Sequence, residues 1–337
     1  MTPRTPRRRQ RGVAVITALL LTTLAVTIVA SLFWQQQVQV RSMENQRLQL
    51  QTRWILRGAL DLSRLVLNQD LLDSPNFTQI NGVWATPLEE TRLDDYIERE
   101  RQQGESFNAT LSGRMVDAQS RYNLANLAAS RIVKDDEVTV FERLLDNLKL
   151  DSSLAQPVAE MVARAQKAGP PASPSGTGGA AGGGSQKAAL PSSGDEPMDL
   201  LRVEDLLALS GFTPPAIEKL RDYVIILPEP TPVNVNTAPA ELVSAVVPNL
   251  SLSDAAAVVN NRNRGMYYRQ YSDFSSLPQI AAAQTQTATV KAVPVAIKSN
   301  YFLAYSQVKL DRASLDTQSL LRRPSVGNTS VVWIREN

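Results

Sequence analysis

The sequence predicts an α+β fold: a long N-terminal helix packed on an antiparallel sheet, with a large α-helical domain inserted into that sheet. Three observations predict it. Residues 13–40 carry no charge and run into an amphipathic helical pattern. Residues 107–116 alternate apolar and polar side chains, and so do the segments that follow residue 301. Between these two β regions, residues 124–295 read as helices and loops.

The N-terminal helix is the clearest element. Residues 13–34 are almost all apolar, with alanines, threonines and one serine between them, and twenty-two residues suffice to cross a bilayer core as a helix. A fully buried core helix and a cleaved secretory signal are the competing readings. The run is long for a signal, and where it ends Gln35, Gln36 and Gln37 lead into further helix instead of a small-residue cleavage site. Five arginines (Arg4, Arg7, Arg8, Arg9, Arg11) precede the run and the next cation is Arg41, so the positive-inside rule predicts a cytoplasmic N-terminus and an exported body. Residues 35–72 continue the helix, with Leu48, Ile55, Ala59, Leu62 and Val66 as its expected apolar stripe. The whole helix, 13–72, would measure roughly 90 Å. Asp73, Ser74 and Pro75 supply its stop.

Residues 73–123 hold the first strand region, with Phe107, Ala109, Leu111 and Met115 facing one side. In the inserted block 124–295, helices are expected over 138–148, 154–165, 202–209, 214–227, 239–246 and 254–262. Thr213, Thr237 and Ser253 stand where N-caps of the last three belong. Residues 169–186 contain seven of the sixteen glycines and no apolar side chain larger than proline, which reads as a flexible loop that cannot bury surface. The last region, 296–337, offers three antiparallel strands, 301–310, 313–321 and 330–334, with Pro324 and Gly327–Asn328 as turn chemistry.

Composition narrows the function. The 337 residues contain neither cysteine nor histidine, which removes disulfides, thiol nucleophiles, Cys/His metal sites and imidazole bases. No serine sits in a strained glycine context, so no catalytic residue is assigned and no enzyme activity is expected. The formal charge of +2 owes its sign to the five N-terminal arginines; the remainder is slightly acidic and has no long-range pull on nucleic acid. Residues 206–220 and 242–262 each read as helix, short hairpin, helix and resemble helix-hairpin-helix units, with Arg262 and Arg264 ending the second. Such units bind phosphate through a glycine-bearing hairpin; the second hairpin here is Pro248–Asn249–Leu250–Ser251, which favours a packing role. The acid clusters Asp135–Asp136–Glu137 and Asp195, Glu196, Asp199 could offer oxygens to calcium or could simply favour a helix N-terminus.

The junction RQRGVAVITALLL resembles a prepilin processing site, in which a short basic leader ending in glycine precedes an apolar helix. That resemblance implies a leader of residues 1–12, cleavage between Gly12 and Val13 by the prepilin peptidase, and N-methylation of Val13. Most pilins carry glutamate at the fifth mature position; here it is Thr17, a departure characteristic of one subgroup. Residues 233–247 (VNVNTAPAELVSAVV), 116–127 (VDAQSRYNLANL), 298–310 (KSNYFLAYSQVKL) and 319–323 (SLLRR) together resemble the type II secretion system protein K family, the large minor pseudopilin with a helical insertion.

The resemblance covers nearly the whole mature chain. It implies a pilin-like helix on a sheet, and a structural part at the tip of the periplasmic pseudopilus, in initiating assembly and exporting folded proteins across the outer membrane. Its implied partners are other minor pseudopilins, the major pseudopilin, the prepilin peptidase, the inner-membrane assembly platform, and secreted proteins or the outer-membrane secretin. The implied place is the inner membrane, single-pass, then the periplasmic pseudopilus, with no nucleic acid bound. Where the family carries an aspartate-rich segment sometimes associated with calcium, this chain has residues 162–168 and then the glycine-rich loop, so no cofactor is assigned and no calcium ligand is carried over. The reading set against it is an exported, membrane-anchored protein that holds nucleic acid or another polymer through the helix-hairpin-helix units.

Overall fold

The computed structural model describes residues 11–95, 108–166, 200–285 and 292–336; residues 1–10 of the expected leader, Phe107 of the expected first strand, the glycine-rich loop 169–186 and the acids Asp195, Glu196 and Asp199 lie outside these. Helix α1 (Arg11–Asp73) is continuous, and nothing in its sequence interrupts it: there is no proline, and Gly58 has open space around it. Its second half lies on an antiparallel sheet of five strands, β1 (Leu88–Arg92), β2 (Ala109–Asp117), β3 (Tyr301–Leu310), β4 (Ala313–Arg322) and β5 (Ser330–Glu336), in that spatial order.

The buried face of α1 runs through Thr52, Leu56, Ala59, Leu60, Leu67 and Asp70. The expected stripe is therefore corrected in phase: Ala59 is right, Ile55 and Val66 are half-buried, and Leu62 is 47% exposed. Two polar residues, Thr52 and Asp70, belong to the buried face, which an apolar count cannot register. The stripe meets Leu111, Phe302, Ala304, Val308 and Leu321 on one side of the sheet, with Trp84 edge-on to Phe302 at 5.1 Å. Fully burying such side chains is worth about 1.5–3 kcal/mol each.

Strands β2 and β3 pair along their whole length, Ala109 opposite Leu310 and Asp117 opposite Phe302, although the chain between Asp117 and Tyr301 contains every described α-helix but α1. The insertion leaves and rejoins the sheet at one place. That place is beside the C-terminal end of α1, where Thr78 N–H donates to the Ile297 carbonyl at 2.8 Å. At the opposite end of the sheet, Arg312 in the β3–β4 turn donates to Glu44 and Asn45 of α1. The insertion thus sits at the end of the head farthest from the apolar half of α1.

Within the insertion, α2 (Asp135–Asn147), α3 (Ala155–Ala165), α4 (Pro214–Leu220), α5 (Ala240–Val246), α6 (Leu252–Asn263), α7 (Tyr271–Ser275) and α8 (Pro278–Thr285) surround one apolar core that includes Phe141, Leu144, Leu206, Leu242 and Phe274. Several sequence expectations need correction here. The helix expected over 214–227 ends at Leu220, and Val224–Ile225 forms a short parallel strand with Tyr122–Asn123. A continuous apolar run fits helix and strand alike, so periodicity cannot tell them apart. Residues 203–208 form a 3₁₀ turn instead of an α-helix. Helix α6 starts two residues early, capped by Ser251, whose hydroxyl accepts from Asp254 N–H at 3.1 Å, and not by Ser253. Thr237 does not cap α5; its hydroxyl donates instead to Asp117. Thr213 stands at the N-cap of α4 without a side-chain bond, ahead of prolines that fix the first turn. Strand β1 is unforeseen, because LEETR shows no apolar alternation and its side chains are mostly exposed.

Candidate functional site

Two places carry residues that the sequence singles out, and they differ in kind. The first is the start of α1. Gly12 and Val13 lie inside the helix, in its first turn after Arg11. Every residue from Val13 to Val40 is exposed, including Leu21 at 66% and Phe33 at 67%. This stretch reaches a mean hydropathy of 2.5 over eighteen residues, long and apolar enough to cross a membrane. Nothing else in the described chain covers it. Thr17 faces outward and its hydroxyl donates to carbonyls of its own helix, Val13 at 3.0 Å and Ala14 at 3.0 Å. Thr22, Thr23 and Thr27 do the same, so the threonine hydroxyls of the stretch are satisfied within the helix, as an apolar surrounding requires.

The second place is the joint between insertion and sheet. Asp117, the last residue of β2, is buried, and among the described residues no ion pair is made to it. Its Oδ2 accepts from Ser299 Oγ at 2.6 Å, Thr237 Oγ1 at 2.6 Å and Asn234 Nδ2 at 3.0 Å, while Oδ1 accepts from Gln119 N–H at 2.8 Å. Burial pushes its carboxyl above the ordinary aspartate range, and these four donors pull back against that shift. Around it the pattern repeats. Asn123 donates to the Glu229 carbonyl and accepts from Leu227 N–H; Asn126 exchanges two bonds with the backbone of Thr231; Asn236 exchanges two with Tyr268. Gln119 donates to the Pro232 carbonyl and accepts from Asn300 N–H. Short amides thus replace regular secondary structure where three chain segments cross, each satisfying backbone groups that no ladder reaches.

A buried cation closes the joint toward α1. Arg323 is fully buried, ion-paired with Asp70 and bonded to Thr78 Oγ1 at 2.8 Å and the Ser299 carbonyl at 3.0 Å, its guanidinium lying 4.6 Å from the Phe302 ring centre. The motifs 116–127, 233–247, 298–310 and 319–323 are therefore one physical object. Sequence reasoning singled out the motifs and missed their common centre, Asp117, because its partners stand up to 182 residues away.

The helix-hairpin-helix units are packed. Arg262 is buried and donates to the Val235 and Ala238 carbonyls at 2.9 and 2.6 Å; burial holds its pKa down at about 10. Asn249 takes a left-handed φ of 60° in the second hairpin, and Ser244 Oγ bonds the Leu250 carbonyl. In the first, Gly211 has φ of 109° and a Cβ there would lie 2.6 Å from Leu154, so the glycine serves close approach. Asp135, Asp136 and Glu137 form the first turn of α2, with Glu137 turned inward to the Tyr122 hydroxyl at 2.9 Å. Among the described residues no three acidic side chains converge as metal ligands would.

Two models of one family, type II secretion system (T2SS) protein K, match residues 120–229 and 233–294, together just over half of the chain. The type II secretion system protein K of Pseudomonas aeruginosa is 28% identical over 332 residues, spanning 97% of this chain and 92% of its own length. That of Klebsiella pneumoniae is 27% identical over 333 residues, spanning 94% and 93%. A chain in the crystal structure of the GspK–GspI–GspJ complex from the enterotoxigenic Escherichia coli type 2 secretion system shares the fold, with a TM-score of 0.60 at 18% identity over 88% of this chain and 99% of that one.

Proposed function

From the premise that this chain belongs to the type II secretion system protein K family, we propose that it is a minor pseudopilin seated at the tip of the periplasmic pseudopilus. There it helps initiate assembly and the export of folded proteins across the outer membrane. The role is structural and involves no reaction of its own. The apolar half of α1 first anchors the chain in the inner membrane, N-terminus cytoplasmic, and then packs among the helices of the filament. The complex whose chain shares this fold joins GspK to GspI and GspJ. By that likeness the partners of this chain are other minor pseudopilins, and beyond them the major pseudopilin, the assembly platform, and the secretin or the exported proteins.

Thr17 carries the tip assignment. A subunit along the shaft receives the N-terminal amine of its neighbour on a carboxylate, since an isolated charge among apolar helices costs several kcal/mol. The Thr17 hydroxyl is already spent on its own helix, so it offers nothing to such an amine. The insertion supports the same reading, because it widens the head at the end remote from the membrane. Processing is part of the proposal: the prepilin peptidase cuts between Gly12 and Val13, and Val13 is then N-methylated. N-terminal sequencing of the mature protein should begin at Val13; a start after Ala30 would mean that the stretch is a secretory signal. Gold or fluorescent labelling of the head should mark pseudopilus ends alone, and label at regular intervals along the shaft would refute the tip position.

A further inference from the structure

On the side of the sheet turned away from α1 lies an open cleft of about 580 Å³ between β3–β5 and the insertion, a size at which sites hold small ligands or a short stretch of peptide. Its floor is aromatic: Tyr305 and Trp333. Its walls carry four arginines, Arg121 and Arg335 at the sheet side and Arg202 and Arg221 from the insertion. Two of the four are matched by acids. Arg221 Nε donates to Glu204 at 2.8 Å, and Arg121 stands 4.0 Å from Asp222. The other two make no ion pair among the described residues. Arg335 lies flat on Trp333, 3.9 Å from the ring centre, and is held in place by a 2.7 Å bond from Nη2 to the Leu201 carbonyl. Arg202 is exposed, while its backbone N–H is tied to Asp205 at 2.8 Å.

We propose that this cleft binds an acidic, extended segment of a second polypeptide, its carboxylates on Arg202 and Arg335 and an aromatic or aliphatic side chain on the floor of Tyr305 and Trp333. The chemistry of the four walls supports a peptide over other anions. Arginine presents a planar fork that matches a carboxylate with two parallel hydrogen bonds, and Arg335 is already oriented for it by stacking. Burial, and after it the nearby Arg202, lowers the basicity of Arg335, and Asp205 and Glu204 offset only part of that, so an arriving carboxylate finds a cation that its surroundings leave incompletely balanced. Glu204 and Asp222 stand at the same rim. A polymer with an anionic group on every unit would meet these two carboxylates as well as the arginines, whereas an extended peptide places backbone N–H groups, which can donate to them, between its acidic side chains. The cleft's chemistry does not depend on where in a filament the subunit sits, so the proposal goes beyond the tip assignment.

Fluorescence anisotropy with the full-length protein in a zwitterionic detergent tests it. The probe is a fluorescein-labelled peptide of sequence EDFEDG, and its amide counterpart QNFQNG is the control. Saturable binding of the first, with roughly fivefold weaker binding of the second, is the expected result, the size following from losing two partly exposed ion pairs. The double variant R202Q/R335Q should lose the same factor. R41Q/R47Q, on the exposed face of α1, should lose none. Thermal melting of both variants establishes that they are folded. Equal binding of the two peptides, or binding indifferent to R202Q/R335Q, would overturn the proposal. So would displacement of the probe by dextran sulfate at lower charge concentration than by unlabelled peptide, which would make the cleft a polyanion site. Binding that appears only after Asp195→Asn, Glu196→Gln and Asp199→Asn would show the chain's own acidic segment to be the occupant and overturn the second polypeptide.

Discussion

The first half of α1 and the joint around Asp117 depart from the ordinary placement of side chains in opposite directions. From Val13 to Val40 apolar side chains stand in the open; around Asp117 polar ones are sealed inside. Both cost free energy in water, and what offsets the cost differs. The Asp117 carboxylate at the centre of the joint is satisfied by the chain itself, by four donors over a few ångströms. The apolar half is satisfied by nothing the chain supplies, and so it specifies its surroundings: a bilayer, or the helices of other subunits. A surface left uncovered describes what the molecule joins, and a buried carboxylate whose donors come from the same chain describes how it holds its own shape.

If that contrast is right, the joint should be the more costly of the two to disturb. Asp117→Ala leaves four buried donors facing a void, and an unsatisfied buried donor costs about 1–3 kcal/mol before relaxation. A loss of about 3–5 kcal/mol is expected in denaturant unfolding of the head, and a loss below about 1 kcal/mol would mean that water or rearranged hydroxyls replace the carboxylate at no cost.

One chemical change made twice on one helix sharpens the comparison. Leu67 is fully buried under the sheet and Leu21 is 66% exposed. Leu67→Ala should destabilise the head by about 2–4 kcal/mol through lost burial and a cavity. Leu21→Ala should leave the head unchanged and appear only as weaker membrane or filament retention. Equal effects on unfolding would show that the first half of α1 folds back on the head.

A smaller effect concerns pH. Burial raises the Asp117 carboxyl above the ordinary aspartate range that holds in the unfolded chain, so the folded state binds this proton more tightly than the unfolded one. Between those two pKa values, therefore, this group makes stability fall as pH rises. Asp117→Asn should remove that component, leaving a flatter stability profile on the acid side when the two proteins are compared by urea unfolding. An unchanged profile would mean that the four donors offset burial completely.

The comparison also explains what the sequence could show. Features with a local period were legible: α1 to within two residues at its start and one at its end, and β3 and β4 to within a residue. Uncovered apolar residues are legible for the same reason, since nothing distant modifies their meaning. The joint was visible only as motifs. Asn123, Asn234 and Ser299 are ordinary turn and cap formers, and nothing within ten residues of any of them says that it faces buried aspartate or buried backbone. Local chemistry even misled: Thr237 reads as a helix cap until Asp117 is brought beside it from 120 residues away. The phase of α1 failed similarly, because two polar residues lie on its buried face: Asp70 pairs with the distant Arg323, and Thr52 returns its hydroxyl to the Leu48 carbonyl of its own helix.

The last test has no expected effect on the fold at all. Thr17 lies far from the head, its side chain exposed and bonded within its own helix. Thr17→Glu should therefore leave head unfolding within about 0.5 kcal/mol of the parent, as surface changes do. Its consequence lies in assembly. At the tip no subunit lies ahead to present an amine, so a carboxylate there is an uncompensated charge in an apolar surrounding and costs several kcal/mol unless it binds a proton. Incorporation should be reduced or unchanged, never improved. Along the shaft the opposite holds, because a glutamate would gain the amine of the next subunit and incorporation would rise. Counting labelled subunits per pseudopilus for the parent and the variant separates the two positions: a gain in copies for Thr17→Glu would move this subunit from the tip into the shaft.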